Sequence, residues 1–242
     1  MKIHFTLATL TVILAASSVH GQFVQEKEIS DTEKYLTYQE MQLVVFDDKT
    51  TAPLTADVTV IGLHPRDPIV FENIADTLFE IKNYRLYTVS CAKVGYMYYS
   101  EKFWPDEELI HQQKVGLHPL EVGLKTDIQD ITFLGNKTEI YHKSKPALDD
   151  LAGWLKDNPK VKIAVIGHVN GPDASKSRKF YMDASVDRAK AVVEYLISLG
   201  ISADRLVAKG AGNSEMVYPD PQTDWQNQAN RRIQIEILEI KK

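Results

Sequence analysis

The feature that most restricts the fold is an alternation of apolar strands and helix-period segments that begins near residue 126. Val161 to Ile166 is apolar except for Lys162, which is typical of a buried strand. Asp183 to Leu199 carries apolar residues at helical spacing. Leu206 to Ala211 and Ile233 to Ile240 have the composition of two further strands. This alternation predicts an α/β sandwich with the helices on one face of a mixed sheet.

The preceding segment, residues 38–124, has a different pattern, because short strand-like runs are separated by turn signals. Ala56 to Leu63 alternates between apolar and polar residues, which predicts a strand with one buried face. Asp47 to Thr50 is a cluster of turn-forming residues. We therefore predict two domains, an all-β sandwich over residues 38–124 and the α/β domain over residues 125–242.

The first residues indicate export. Lys2 precedes an apolar run, Phe5 to Ala16, that is too short to span a membrane, and small residues follow it. This pattern predicts a secretory signal peptide over residues 1–21. Residues 22–37 are polar and charged, so we expect them to form a flexible leader between the signal peptide and the first domain.

The charge balance argues against nucleic acid as a partner. The chain has 28 Lys and Arg residues against 33 Asp and Glu residues, a formal net charge of -5, and its basic residues are scattered among acidic ones. Neither the Gly-x-Ser-x-Gly motif of hydrolases nor the His-Glu-x-x-His motif of metalloproteases occurs in the sequence. We therefore predict no enzyme activity, no cofactor and no metal site.

Short motifs follow one another through the C-terminal half. In chain order they are Asn158-Pro159, Gly167-His168-Val169-Asn170, Ser185-Val186-Asp187-Arg188-Ala189, Leu199-Gly200-Ile201, Arg205-Leu206, Gly210-Ala211-Gly212 and Asn230-Arg231-Arg232-Ile233. On this series, residues 125–242 resemble the peptidoglycan-binding domain that ends outer-membrane protein A (OmpA). The same domain occurs in the peptidoglycan-associated lipoprotein and in flagellar motor stators. The resemblance implies a βαβαβ domain in the periplasm of a Gram-negative bacterium, associated with the outer membrane or the cell wall.

The resemblance also implies a binding groove for a peptidoglycan peptide stem. In the family, an acid at a strand end receives the ammonium group of the stem's diamino acid, and a helix arginine holds its carboxylate. The matching positions are Asn170 and Arg188, and an arginine fork suits a carboxylate because two parallel N–H bonds fit its geometry. His168, Asp173 and Asn230 complete the predicted set of peptidoglycan-binding residues.

The groove region departs from the common pattern at several positions. Asn170 stands where aspartate is usual, and a neutral amide makes bonds to an ammonium that are roughly half as strong as those of a carboxylate. Tyr181 replaces the usual asparagine, and the loop before Arg188 is longer than usual. Asp173 in this loop could restore the missing charge or could be a solvated loop acid beside Pro172, and both interpretations stay open.

Three functions from different classes are considered for this sequence: a wall anchor, a structural adaptor and a wall hydrolase. The favoured one is non-catalytic binding of peptidoglycan stems, which anchors an envelope protein or complex to the wall. The alternative is a structural adaptor of a secretion or motility assembly, which a groove blocked by Tyr181 would favour. A wall hydrolase has no catalytic constellation to support it. For Arg188, the alternative to ligand binding is a surface ion pair with Asp183, Asp187 or Asp204.

Residues 38–124 resemble, less specifically, the carboxypeptidase-regulatory or transthyretin-like sandwiches. Asp47 to Ala56 and Tyr84 to Tyr96 carry this resemblance. It implies a spacer or a contact with an outer-membrane or secretion-complex protein. Tyr96, Tyr98 and Tyr99 are candidates for an exposed interface, although core packing is favoured for at least one face of this segment.

Overall fold

A computed structural model describes residues 38–62, 68–82, 86–105, 110–134, 137–171 and 177–241. The predicted signal peptide, the predicted leader and Asp173 lie outside the described residues. Within the described ranges, no helix is both long enough and apolar enough to cross a membrane.

The described residues between 38 and 117, here called the N-terminal β region, form seven strands in two sheets. The strands are β1 (Tyr38–Asp47), β2 (Ala56–Gly62), β3 (Pro68–Ile74), β4 (Asp76–Lys82), β5 (Tyr87–Ala92), β6 (Tyr99–Phe103) and β7 (Ile110–Leu117). One sheet has the order β4-β1-β7 and the other has the order β3-β2-β5-β6. Alternate residues of β1 and β2, including Leu43, Val45, Val58 and Val60, are fully buried in one cluster. The period-2 pattern of these strands therefore directs one face of each sheet into a shared core.

Residues 125–241 contain a four-stranded sheet with helices packed against it. The elements are β8 (Lys125–Ile128), α1 (Lys145–Asp157), β9 (Val161–His168), α2 (Arg178–Ser198), β10 (Leu206–Gly212), α3 (Asp224–Asn230) and β11 (Ile233–Ile240). The sheet order is β10-β9-β11-β8, with β10 parallel to β9 and β11 antiparallel to its two neighbours. Ile163 and Val165 of β9 are buried together with Leu151 of α1 and Leu196 of α2. The predicted mixed sheet with helices is confirmed.

The residues from Ile128 to Leu134 have the composition of a strand and predict one, but this prediction is wrong because β8 ends at Ile128. Asp130 has a φ of 63°, which is a left-handed conformation that a strand does not accommodate. Its carboxylate accepts a hydrogen bond of 2.8 Å from the Thr88 hydroxyl and pairs with Lys102 at 3.1 Å. These contacts turn the chain out of the sheet and toward the N-terminal β region.

The second helix is longer than the sequence pattern indicated. We predicted a helix from Asp183, whereas α2 begins at Arg178. The Ser177 side chain accepts a hydrogen bond of 3.1 Å from the Phe180 backbone N–H, which satisfies one of the free donors at the helix start. This added turn brings the residues before Asp183 into regular helix, and it places Tyr181 on α2 rather than in a loop.

Two residues of the N-terminal β region are part of the hydrophobic core of the C-terminal sheet. Met97 and Tyr98 are buried in the same cluster as Trp154 of α1 and Ile163 of β9. The rings of Tyr98 and Trp154 lie 6.1 Å apart between centroids. The prediction that this aromatic segment contributes to the core is confirmed for Tyr98, and the proposed division of the chain after residue 124 stays a prediction.

Candidate functional site

A groove of about 430 Å³ lies between α2, α3 and the segment that follows β8. One wall is aromatic and apolar, and the other carries two guanidinium groups. The lining residues are Thr132, Phe133, Leu134, Tyr141, Arg188, Gln228 and Arg231. A groove with this composition suits a ligand that has both an apolar chain and an anionic group.

Arg188 is the buried cation of this groove. Its side chain projects from α2, the residue is 9% exposed, and its guanidinium carbon lies 5.2 Å from the centroid of the Phe133 ring. This is the geometry of a cation–π contact. Burial lowers the pKa of Arg188, and the nearby charge of Arg231 lowers it further. A guanidinium remains protonated at neutral pH, so both positive charges persist in the groove.

The acids that could have neutralised Arg188 are engaged elsewhere. Each of the three carboxylates considered from the sequence lies beside a lysine. The pairs are Asp183–Lys179 at 2.7 Å, Asp187–Lys190 at 3.4 Å and Asp204–Lys241 at 3.4 Å. In the part of the chain that the structure describes, no carboxylate forms an ion pair with Arg188. Two adjacent guanidinium groups in this setting favour an incoming anion.

Close packing of α2 on the sheet fixes the position of Arg188. A Cβ atom added at Gly167 would lie 2.1 Å from the Ser185 carbonyl oxygen, and one added at Gly210 would lie 2.3 Å from Ser185 Oγ. Ser185 Oγ also accepts a hydrogen bond of 2.9 Å from the Gly212 backbone N–H. Arg188 follows Ser185 by one helical turn, so the two glycines bring its helix against the strands. Gly167 therefore has a packing role.

Asn170 and Asn230 belong to an amide cluster beside the groove. Asn230 Nδ2 donates to Asn170 Oδ1 at 2.8 Å, and Asn170 Nδ2 donates to Asn227 Oδ1 at 2.6 Å. Asn230 is fully buried, and its side chain also bonds both backbone polar groups of Tyr218, at 2.9 Å to the N–H and 2.7 Å to the carbonyl. The cluster connects the end of β9 to α3. Neither Asn170 nor Asn230 is among the described residues that line the groove.

His168 lies on the opposite face of the sheet from α2. Gly167 contacts α2, and successive strand residues point to opposite faces, so the His168 ring points away from that helix. The residue is 2% exposed, and burial, together with the charges of Arg232 and Lys125, lowers its pKa to about 4. His168 is therefore neutral at pH 7. The structure places it away from Arg188, and a ligand contact stays a prediction.

Tyr181 does not occlude the groove. It is buried, and its ring packs against Gly171, where an added Cβ atom would lie 2.7 Å from a ring carbon. It also contacts Phe180 edge-on, with 5.5 Å between the ring centroids. Tyr181 is not one of the described groove-lining residues, so the feature that would have favoured an adaptor is not observed.

The two consecutive arginines before β11 have different environments. Arg232 pairs with Asp127 at 3.3 Å and donates to the Glu215 carbonyl oxygen at 3.1 Å. Arg231 lines the groove with Arg188. The motif indicated this pair of arginines but could not distinguish the one in a structural ion pair from the one that lines the groove. Phe133 and Tyr141 were not predicted as site residues, since the segment that contains them has no regular periodicity.

The described residues contain no group of three or more His, Cys, Asp or Glu side chains that could hold a metal ion. The groove instead offers guanidinium donors, an amide and aromatic rings. These groups can bind and orient a carboxylate ligand.

Comparison with known proteins gives matches to the C-terminal half. The OmpA family model matches residues 132–231. Outer membrane protein A of Escherichia coli O157:H7 is 33% identical over 122 residues, which cover 46% of this chain and 34% of that protein. An outer membrane protein of Borrelia burgdorferi B31 is 26% identical and covers 48% of this chain and 88% of its own, with a TM-score of 0.37. The peptidoglycan-associated lipoprotein of Burkholderia pseudomallei is 19% identical and covers 45% and 86%, with a TM-score of 0.38.

The chain spans about a third of the length of the first curated relative, as given by the 34% coverage. The matched region includes Arg188, Gln228 and Arg231, and also the amide cluster around Asn170. The transthyretin-like resemblance of residues 38–124 stays a prediction, because the family match does not reach that segment.

Proposed function

We propose that the OmpA-like domain carried at residues 132–231 binds the peptide stems of peptidoglycan and so anchors this protein to the cell wall. The observation that supports this function best is Arg188, a buried cation that faces Arg231 and pairs with no carboxylate among the described residues. A stem carboxylate entering the groove would accept two parallel N–H bonds from the guanidinium. Binding is reversible and non-catalytic, and the site of action is the periplasm of a Gram-negative bacterium.

The aromatic wall suits the remainder of the stem. Phe133 and Tyr141 give the groove an apolar side along which the methylene chain of a diamino acid can lie. Phe133 also holds the Arg188 guanidinium by its ring face, so the cation is oriented before a ligand arrives. A preoriented donor loses less side-chain entropy on binding than a mobile one.

The ammonium end of the ligand requires an acceptor next to the groove. Asn170 Oδ1 accepts one hydrogen bond from Asn230, and an amide oxygen has two lone pairs, so it retains capacity for a second donor. Asp173, in the loop that follows, would contribute a full negative charge. We therefore propose Asn170 and Asp173 as the ammonium side of the site, with the chain's amide cluster holding Asn170 in place.

A modest affinity for each stem is sufficient for anchoring. Peptidoglycan presents many stems on one polymer, so a protein that dissociates from one stem meets another at high effective concentration. The same argument applies to a complex that contains several copies of the domain. The N-terminal β region is proposed to contact an outer-membrane or secretion-complex protein, or to act as a spacer.

The adaptor function has one supporting observation. Asn170 stands at the position of the usual acid and is bonded to Asn227 and Asn230 of its own chain. In an adaptor, this network would simply hold β9 against α3. The position of Tyr181 outside the groove argues for the binding function instead.

The test is co-sedimentation of the mature protein with insoluble peptidoglycan. Wild type is expected to pellet, and Arg188→Ala is expected to stay in the supernatant with an unchanged circular dichroism spectrum. Arg178→Ala is the matched control, because this exposed arginine lies on the same helix. Asp173→Ala reports whether the loop acid contributes. A wild-type protein that stays soluble would favour the adaptor and direct the search to protein partners.

A further inference from the structure

An exposed tryptophan, Trp225, packs against the half-buried Tyr218 on the helix beside the groove. Trp225 is 59% exposed, and its ring meets the Tyr218 ring edge-on, with centroids 5.0 Å apart and an interplanar angle of 80°. Val217 next to Tyr218 is also exposed. Single exposed apolar residues are common on protein surfaces. This pair differs because each member is held in place by specific contacts.

Tyr218 is fixed through its backbone. The side chain of Asn230, itself fully buried, bonds both the N–H and the carbonyl oxygen of Tyr218. Trp225 lies in the first turn of α3, which begins with a reciprocal capping box between Thr223 and Gln226. Both rings are therefore anchored to the helix that forms one side of the groove, and a ligand that contacts them orders little additional structure.

Trp225 is adjacent to the groove along α3. Gln228, one of the groove-lining residues, follows Trp225 by three positions, and residues at this spacing are neighbours on a helix surface. Arg231, the second guanidinium of the groove, directly follows the end of the same helix. Trp225 therefore lies next to the groove-lining Gln228 on the surface of α3.

The chemistry of a peptidoglycan stem indicates which group of the ligand would reach Trp225. A stem peptide is covalently joined at one end to a sugar of the glycan strand, so a stem whose diamino acid is held by Arg188 leads along its peptide chain to a sugar outside the groove. A pyranose ring presents a face of C–H groups, and the electron-rich face of an indole attracts such polarised hydrogens. A tryptophan held at the groove's rim is suited to this contact, since it offers a large rigid surface at low entropic cost.

We propose that Trp225, supported by Tyr218, forms a sugar subsite that contacts the glycan strand next to the bound stem. This inference rests on the proposed function, because it takes the groove as the stem site. It adds a second recognition element, so the domain distinguishes a stem that is still attached to glycan from a free peptide. The sugar contact is uncharged and is therefore far less sensitive to salt than the guanidinium contact.

The experiment compares two soluble ligands by isothermal titration calorimetry with the mature protein. One ligand is the free stem peptide, and the other is the same peptide attached to its disaccharide. Trp225→Ala is expected to weaken binding of the disaccharide-peptide by about 5- to 10-fold and to leave binding of the free peptide unchanged. Trp225→Phe, which keeps a flat ring, is expected to recover part of the loss.

The matched control is Trp104→Ala. Trp104 is 61% exposed, close to the 59% of Trp225, and lies in the N-terminal β region beyond β6. Its loss is expected to change neither affinity. Thermal melts of both variants separate a binding effect from misfolding.

The possible outcomes distinguish failure of the sugar subsite from failure of the proposed stem-binding function. If wild type binds both ligands and Trp225→Ala binds both as well as wild type does, the sugar subsite is wrong and stem binding stands. If Trp225→Ala weakens both ligands equally, Trp225 shapes the groove and contacts no sugar, which also overturns the inference. If wild type binds neither ligand, the stem-binding function and the subsite are both wrong.

Discussion

The indole Nε1–H of Trp154 donates a hydrogen bond of 2.9 Å to the backbone carbonyl oxygen of Tyr96. Trp154 belongs to α1 of the C-terminal sheet, and Tyr96 belongs to the N-terminal β region. One helical turn later, Asn158 Oδ1 accepts a hydrogen bond of 2.8 Å from the Gly95 backbone N–H. These two hydrogen bonds connect α1 to one turn of the N-terminal β region. They lie next to the buried contact between Trp154 and Tyr98.

The first prediction concerns this connection. Trp154→Phe removes the indole donor, leaves the Tyr96 carbonyl without that partner and opens a small cavity. We expect the free energy of unfolding to fall by about 2–4 kcal/mol, measured by urea denaturation. Trp104→Phe makes the same change at an exposed position and is expected to shift stability by less than about 0.5 kcal/mol. Equal effects of the two substitutions would contradict the assigned role of the indole bond.

The second prediction concerns a fragment of residues 125–242. Met97 and Tyr98 are buried in the core of the C-terminal sheet, so the fragment loses these side chains and exposes Trp154. We expect it to melt at a lower temperature than the full chain and to be less resistant to proteolysis. In the full chain, Tyr98→Ala is expected to cost about 3–5 kcal/mol. A fragment as stable as the full protein would show that the packing of Met97 and Tyr98 contributes little.

A third prediction separates the two consecutive arginines. Arg232→Ala removes the contacts to Asp127 and to the Glu215 carbonyl oxygen, and we expect it to lower the free energy of unfolding by about 1–3 kcal/mol. Arg231→Ala is expected to leave the melting temperature unchanged and to weaken binding of a stem peptide by about 10-fold. Calorimetry and thermal melts of both variants give the two readouts. The reverse assignment of effects would place Arg232 at the ligand.

The fourth prediction concerns acid stability. In the unfolded chain His168 titrates near 6.5, whereas burial, Arg232 and Lys125 lower its pKa to about 4 in the folded protein. At pH values between about 4 and 6.5, the unfolded chain binds a proton at His168 more readily than the folded protein does. Acidification from pH 6.5 to pH 4 therefore lowers the free energy of unfolding, with a slope of at most about 1.4 kcal/mol per pH unit for this one proton.

His168→Leu tests this assignment, since a leucine of similar bulk does not titrate. The variant is expected to show a flatter dependence of stability on pH between 4 and 6.5 than the wild-type protein, with the curves converging in shape above that range. Urea denaturation at a series of pH values gives the comparison. Parallel curves for the two proteins would assign the acid sensitivity to other groups.

Strong local patterns predicted much of the C-terminal fold. The apolar period of Ile233 to Ile240 gave β11 with its observed bounds, and α1 ends before Asn158-Pro159 as expected. The start of α2 was placed too late, because the turn that begins at Arg178 has no apolar stripe to distinguish it from a loop. α3 has no apolar periodicity to indicate a helix, although Thr223 and Gln226 have the spacing of a capping box and could have indicated it.

The site was only partly predictable for a physical reason. Arg188 could be identified from its motif and its position on a helix. The contributions of Phe133 and Tyr141 depend on how an irregular segment folds over α2, and local sequence does not specify such a tertiary contact. Likewise, Asn170 was predicted as an acceptor from its place at a strand end, whereas its bonds to Asn227 and Asn230 follow from the packing of α3.

The hydrogen-bonded contact between α1 and the turn at Gly95 affects how force passes between the N-terminal β region and the C-terminal sheet. A flexible tether extends under tension as an entropic spring, and it lets the bodies that it connects rotate freely. Close-packed side chains yield very little before they separate. Load applied to the N-terminal β region therefore reaches α1 through the packed Tyr98 and Trp154 rings with very little extension. In the proposed wall anchor, this contact would fix the orientation of the N-terminal β region as well as its distance from the wall-binding groove.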